Sequence, residues 1–256
     1  MCKIISINML KGGSGKTTTV QSLAGCLSDL GYNCLVVDLD PSGNLTYSSN
    51  IRKIEHNVYD LMNQKFDYDN VIQFNKYYDI MPSGKMLNKS IPDFNDFALK
   101  NVLDPIRNNY DYILIDTPSH LGSLFRNSLA AADYVIIPFE PSFYAYQILE
   151  ELYDIINDYT IKYNQNLKIL GILLVRFKEK EIFNRILRIC LDQFIKNRNL
   201  KVFNTYIHES CDIKEAQCYR DIIIKALPKS RPGFDYMNLT REILDMLHDN
   251  ILRKIV

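Results

Sequence analysis

Short apolar runs separated by longer polar and mixed stretches organise this chain. They fall at Lys3–Ile7, Cys34–Asp38, Tyr112–Asp116, Tyr134–Pro138, Ile169–Val175 and Val202–Ile207. Each is nearly continuous in apolar residues rather than alternating, the mark of a strand covered on both faces and hence of a mostly parallel sheet. Between them, helical patterns occur near Thr18–Leu30, Asn95–Asn108, Leu121–Ala131, Ala145–Tyr159, Glu181–Asn197 and Leu239–Lys254. The alternation predicts an α/β fold, a doubly wound, mostly parallel sheet flanked by helices, as one domain over residues 1–256. The polar, Asn/Tyr-rich stretch from Ser42 to Lys76 is the least regular part.

In such sheets ligands bind at the carboxyl ends of the strands, and three chemically loaded sequences fall there. The first is Lys11-Gly12-Gly13-Ser14-Gly15-Lys16-Thr17-Thr18, between a predicted strand and a predicted helix. Glycines let backbone N–H groups approach phosphate oxygens, and the helix N-terminus adds partial positive charge. Lys16 would reach the β- and γ-phosphates, and the Thr17 hydroxyl would hold Mg²⁺. The general P-loop has a glycine where Leu10 stands; in its place Lys11 directly precedes the double glycine. The second sequence is Asp38-Leu39-Asp40-Pro41-Ser42-Gly43-Asn44, and the third is Asp116-Thr117-Pro118. A single Asp after a strand is often only a helix cap. Three such sequences in this order and spacing define a nucleotide site.

Composition alters this picture little. Six cysteines at positions 2, 26, 34, 190, 211 and 218 form no CxxC pair, which fits reduced thiols in a cytoplasmic protein. No apolar run reaches the length of a membrane span, and the first residues lack a signal-peptide layout. Charge changes more. The formal net charge is zero, yet from Lys168 onward 17 Lys/Arg face 11 Asp/Glu, which leaves 13 against 19 before it. The halves therefore carry about +6 and −6.

The sequence resembles the ParA/Soj plasmid and chromosome partition ATPases, within the deviant-Walker class that includes MinD. Lys11 to Thr17 match the deviant Walker A pattern, whose first lysine defines the class. Asp38-Leu39-Asp40-Pro41 with Gly43-Asn44 resembles the second motif, and Ile115-Asp116-Thr117-Pro118 with Leu121-Gly122 the Walker B and switch region. Val135 to Pro138, Pro141, Tyr144-Ala145, Glu215-Ala216 and Pro228 to Arg231 are also similar, so the resemblance spans nearly the whole chain. It departs at Ser42, where the family has Gln, and at Ser119, where it has Pro. His208-Glu209-Ser210 stands for the family's adenine-side Pro-Arg-Asn, so the adenine contacts do not transfer. Arg176, in Val175-Arg176-Phe177, either flanks the base or is a surface residue.

The resemblance implies slow ATP hydrolysis with Mg²⁺. Lys16 and Thr17 bind phosphate and metal, Asp116 supports the metal through water, and Asp40 positions the attacking water. Lys11 reaches across a nucleotide-sandwich homodimer to the partner's phosphates. The implied partners are non-specific double-stranded DNA and a ParB-like centromere-binding protein that stimulates hydrolysis, and the implied place is the nucleoid. Only two residues precede the first strand, so no N-terminal DNA-reading extension is expected. Candidate phosphate contacts are Arg185, Arg188 and Arg220, then Lys196, Arg198, Lys201 and Lys225, each competing with an ordinary solvated or paired reading. The nearer rival is a MinD-like membrane-associated positioner, suggested by the stripe Leu244, Leu247, Ile251 and Ile255. The mixed charges beside that stripe favour packing on the sheet and no membrane contact.

Overall fold

The structure, a computed structural model, describes residues 2–51, 53–84, 93–178, 181–198 and 200–248, with backbone alone at 143 and 183–185. The first half runs β1 (Lys3–Ile7), α1 (Lys16–Asp29), β2 (Cys34–Asp38), α2 (Asn44–Ser48), α3 (Val58–Met62), α4 (Tyr68–Val71), β3 (Gln73–Phe74) and β4 (Asp79–Met81). It continues through α5 (Ala98–Leu103), a 3₁₀ turn at Arg107–Asn109, β5 (Tyr112–Asp116), α6 (Ser123–Ala131) and β6 (Tyr134–Phe139). The remainder is α7 (Phe143–Lys162), β7 (Lys168–Phe177), α8 (Ile182–Lys196), β8 (Ile207–His208), α9 (Asp212–Tyr219), α10 (Ile223–Ala226) and α11 (Arg231–Met246).

The strands form one sheet in the order β3-β4-β2-β5-β1-β6-β7-β8, parallel throughout except for the antiparallel β3–β4 edge pair. Successive side chains of a strand enter opposite layers. Ile4, Val37, Ile113, Ile115 and Ile137 pack with α3 and α5 to α8 on one face. Ile5, Ile7, Val36, Leu114 and Ile136 pack with α1 and α9 to α11 on the other. This double coverage is why the strands read as unbroken apolar runs.

Several boundaries differ from the sequence expectation. The helix expected near Asn95–Asn108 is cut to Ala98–Leu103 with a separate 3₁₀ turn at Arg107–Asn109, since Pro105 lies between them. The last helix runs from Arg231 to Met246, because Ser230 caps it by accepting the Gly233 N–H at 3.2 Å and Pro232 occupies its first turn. Residues 249–254 of the expected Leu239–Lys254 helix lie outside the described residues. The expected strand Val202–Ile207 narrows to Ile207–His208 plus a bridge at Val202, since Asn204 and Thr205 donate their N–H groups to Glu242 at 2.7 and 2.9 Å. The stretch 42–76, expected irregular, carries α2, α3, α4 and β3; α3 starts with a reciprocal Asn57/Asp60 capping box.

Gly171 in β7 is required by packing. A Cβ there would lie 2.8 Å from the ring of buried Phe203. Gly171→Val is expected to destabilise the fold by about 1–3 kcal/mol through overpacking, read from urea unfolding midpoints.

Candidate functional site

The carboxyl ends of β1, β2 and β5 meet at one place, since Ile7 and Asp38 both register with Asp116. The loop after β1 makes a phosphate cradle. Gly13 (φ 73°) and Gly15 (φ 85°) adopt left-handed backbone that an L side chain would strain, and Gly15 opens α1. Lys16 is 6% exposed, and its amine donates to the carbonyls of Met9 at 3.1 Å and Lys11 at 3.4 Å. Burial holds its pKa below the ordinary lysine value, while the Asp116 and Asp40 charges oppose that shift.

The Thr17 hydroxyl donates to Asp116 Oδ2 at 2.7 Å. Asp116 is fully buried, and its Oδ1 has no hydrogen-bond partner among the described residues. Burial, then the Asp38 charge, raise its pKa well above the carboxylate range. Burial likewise raises Asp38 to about 7, although Asp38 Oδ2 accepts both the N–H (2.8 Å) and hydroxyl (2.6 Å) of Thr46. A buried carboxylate oxygen without a donor, beside a threonine hydroxyl, is a hard-oxygen pair suited to hydrated Mg²⁺. The buried hydroxyl of Ser14, within the cradle loop, is also without a partner among the described residues. The residues present fit a magnesium nucleotide.

Asp40 sits on the turn leaving β2. Its N–H donates to Asp38 Oδ1 at 3.1 Å, its Oδ1 accepts the Ser42 N–H at 2.9 Å, and its carbonyl accepts Ser83 Oγ at 2.8 Å. The Ser42 that replaces Gln contributes backbone to this turn. The Thr18 hydroxyl accepts from Gln217 Nε2 at 3.3 Å, which ties the P-loop to α9.

Lys11 is placed differently from Lys16. Its side chain is 30% exposed, and its amine lies 3.5 Å from both Glu140 Oε2 and Ser142 Oγ. The same Glu140 oxygen takes Arg176 at 3.2 Å, so Arg176 is turned onto a carboxylate within the chain. Sequence reasoning missed Glu140. Its position at the end of β6 was visible, but only the order β1-β6-β7 shows that Lys11 and Arg176 flank it. At the place of the family's adenine motif, His208 bonds Asp235 Oδ2 through its N–H (3.0 Å) and Nδ1 (2.8 Å), and Glu209 pairs with Lys178 at 2.7 Å.

Comparison with known proteins agrees with this geometry. The sequence family described as an AAA domain matches residues 2–169. The sporulation initiation inhibitor protein Soj of Bacillus subtilis is 33% identical over 95% of this chain and 98% of its own. The chromosome partitioning protein ParA of Myxococcus xanthus is 31% identical over 94% of this chain and 88% of its own. The chain belongs to the ParA/Soj family of ATPases. A solved structure of a putative Borrelia burgdorferi plasmid partition protein bound to AMPPNP superposes with TM-score 0.76 at 28% identity, covering 97% of this chain and 99% of that one.

In this ParA/Soj-family protein the candidate phosphate contacts do not form one patch. Arg188 lies on α8, over the sheet face of α5 to α7, and pairs with Asp192 at 3.3 Å. The Arg185 side chain lies outside the described residues. Arg198 covers the rings of Phe194 (4.1 Å) and Tyr153 (5.2 Å), and Lys196 and Lys201 are exposed nearby. Arg220 belongs to the opposite face, where its guanidinium stacks on Tyr47 at 4.0 Å, and Lys225 pairs with Asp29.

The buried carboxylates of this ParA/Soj-family site give a pH signature. Folded Asp38 keeps its proton up to about pH 7, whereas the unfolded chain releases it near 3.8. The unfolded state thus binds fewer protons across that window, and stability falls as pH rises from about 4 to 7. Asp116 acts in the same direction. Urea unfolding of nucleotide-free protein across this range should show the decline, and Asp38→Asn should flatten it.

Proposed function

We propose that this protein is a DNA partition ATPase whose ATP-bound homodimer holds DNA without sequence preference. In this reading a ParB-like centromere-binding partner stimulates hydrolysis and releases the dimer from the nucleoid in the cytoplasm. Residues 1–256 act as one domain. The observation that carries the reading is the contrast between the two P-loop lysines. Lys16 is buried and braced inside the cradle, while Lys11 is partly exposed and carries a salt bridge that it can exchange for a phosphate.

Each residue has a stated task. The loop N–H groups and Lys16 bind and orient the β- and γ-phosphates of ATP. Thr17 and Asp116 would hold Mg²⁺, and the bound ion would supply Lewis-acid polarisation of the phosphate oxygens. Asp40 orients the attacking water. Lys11 of each subunit places positive charge on the other's phosphates as charge develops there, the role an arginine finger plays elsewhere. Such a site is slow alone, because its last cation arrives only with the second subunit.

The rival membrane-positioning reading needs the apolar face of the last helix free. Leu244 and Leu247 are 0% and 7% exposed, packed against the sheet; Ile251 and Ile255 lie outside the described residues. Among the described residues no helix is long and apolar enough to cross a membrane. Light scattering after size exclusion tests the sandwich: wild type should become a dimer with a non-hydrolysable ATP analogue and stay mainly monomeric with ADP. Lys11→Ala should impair dimer formation more than nucleotide affinity. A monomer at saturating analogue contradicts the proposal.

A further inference from the structure

Two cations line a cleft that the nucleotide site does not use. The cleft, about 350 Å³, lies between the end of α2, the β3–β4 turn and the α9–α10 turn. Arg220 and Lys76 stand on its walls. Both adopt left-handed backbone, with φ of 51° and 71°, a conformation that costs a non-glycine residue about 1 kcal/mol or more. Arg220 closes α9 at the place where glycine usually stands. A long cation at such a turn indicates a use for the side chain.

Arg220 has no carboxylate partner among the described residues, and Lys76 has only the nearby Asp221 charge acting on it, without a direct ion pair. Among the described residues, no carboxylate lies within ion-pair distance of either, a state shared by ring-stacked Arg198 near α8, whereas Arg107, Arg126, Arg176, Arg188 and Lys225 each have one. Arg220 rests on the Tyr47 ring and donates to its hydroxyl; Lys76 sits 4.9 Å over the Tyr77 ring. Tyrosine faces hold a cation in place without cancelling its charge. One carboxylate, Asp221, lines the cleft, and its Oδ1 accepts the Ile222 N–H at 2.7 Å. The rims are exposed rings, Phe74 at 69% and Tyr219 at 60%. Cations held without a direct ion pair suit the phosphates of a nucleic-acid backbone. The α8 candidate Arg188 is instead engaged by Asp192 and lies over the other sheet face.

We propose that this cleft is where the protein grips the backbone of double-stranded DNA, with Arg220 and Lys76 each contacting a phosphate. The inference deepens the partition reading and rests on it. One wall is the helix leaving the Asp38–Asp40 turn, since Thr46, next to Tyr47 in α2, is anchored to Asp38 by two hydrogen bonds. The grip therefore sits one helix away from the nucleotide.

The test is equilibrium binding of random-sequence duplex DNA to the full chain with a non-hydrolysable ATP analogue, between about 50 and 200 mM salt. Removing one cation from a phosphate lowers the slope of log affinity against log salt by about 0.9, so about 1.8 for the two copies in a dimer. Lys76→Ala and Arg220→Ala should each show that drop, equally for all sequences, with analogue affinity unchanged. Arg220→Lys should keep the slope, because a point charge still meets the phosphate, and Arg188→Ala should leave it at the wild-type value. If wild type binds DNA but Lys76→Ala and Arg220→Ala retain its slope, the cleft is overturned and the partition reading stands. If wild type shows no analogue-dependent DNA binding, both fall.

Discussion

Lys16→Ala should lose nucleotide binding outright. Lys16 is the one P-loop cation buried in the cradle, and its pKa is lowered by burial rather than stabilised by a full ion pair. Among the described residues its amine donates to two carbonyl groups, so β- and γ-phosphate oxygens gain a charge already desolvated and aimed. Charge-assisted hydrogen bonds are worth about 1.5–3 kcal/mol each, so losing two weakens binding by more than about 100-fold. The substitution also removes the brace across Met9 and Lys11, which loosens the loop itself. Titration with a fluorescent ATP analogue reads the effect; retention of wild-type affinity would remove Lys16 from the site.

Asp40→Ala should do the opposite. Nucleotide binding and dimer formation should persist, while turnover falls by about 100-fold or more, the range expected when a residue that orients or deprotonates water is removed. Its backbone and carboxylate fix the turn through Asp38, Ser42 and Ser83, so Asp40→Asn separates turn geometry from charge. Asn can still accept the Ser42 N–H but is a poor base. Low turnover in both variants identifies the carboxylate, and recovery in Asp40→Asn alone would reduce Asp40 to a structural role.

The central strands were legible because each is buried on both faces, and β1, β2 and β5 begin and end where their apolar runs do. The edge pair β3–β4 was not, since strands of two and three residues carry no periodicity. The start of α11 was readable in principle: Ser230 followed by Pro232 is a cap and first-turn signal that the apolar pattern from Leu239 onward outweighed. The phosphate cradle and its carboxylates came from local motifs, which a sequence displays directly. Glu140, the Tyr47–Arg220 stack and the placement of Arg188 and Arg220 over opposite sheet faces depend on strand order and could not be read from spacing.

The most direct measurement of the central claim compares the affinity of random-sequence duplex DNA for the protein with a non-hydrolysable ATP analogue and with ADP. Two copies of a phosphate-binding surface joined in one dimer bind with an avidity that a monomer lacks. Tight, salt-sensitive, sequence-independent binding with the analogue and weak binding with ADP is the predicted result; equal affinity in the two states contradicts an ATP-switched DNA-binding dimer.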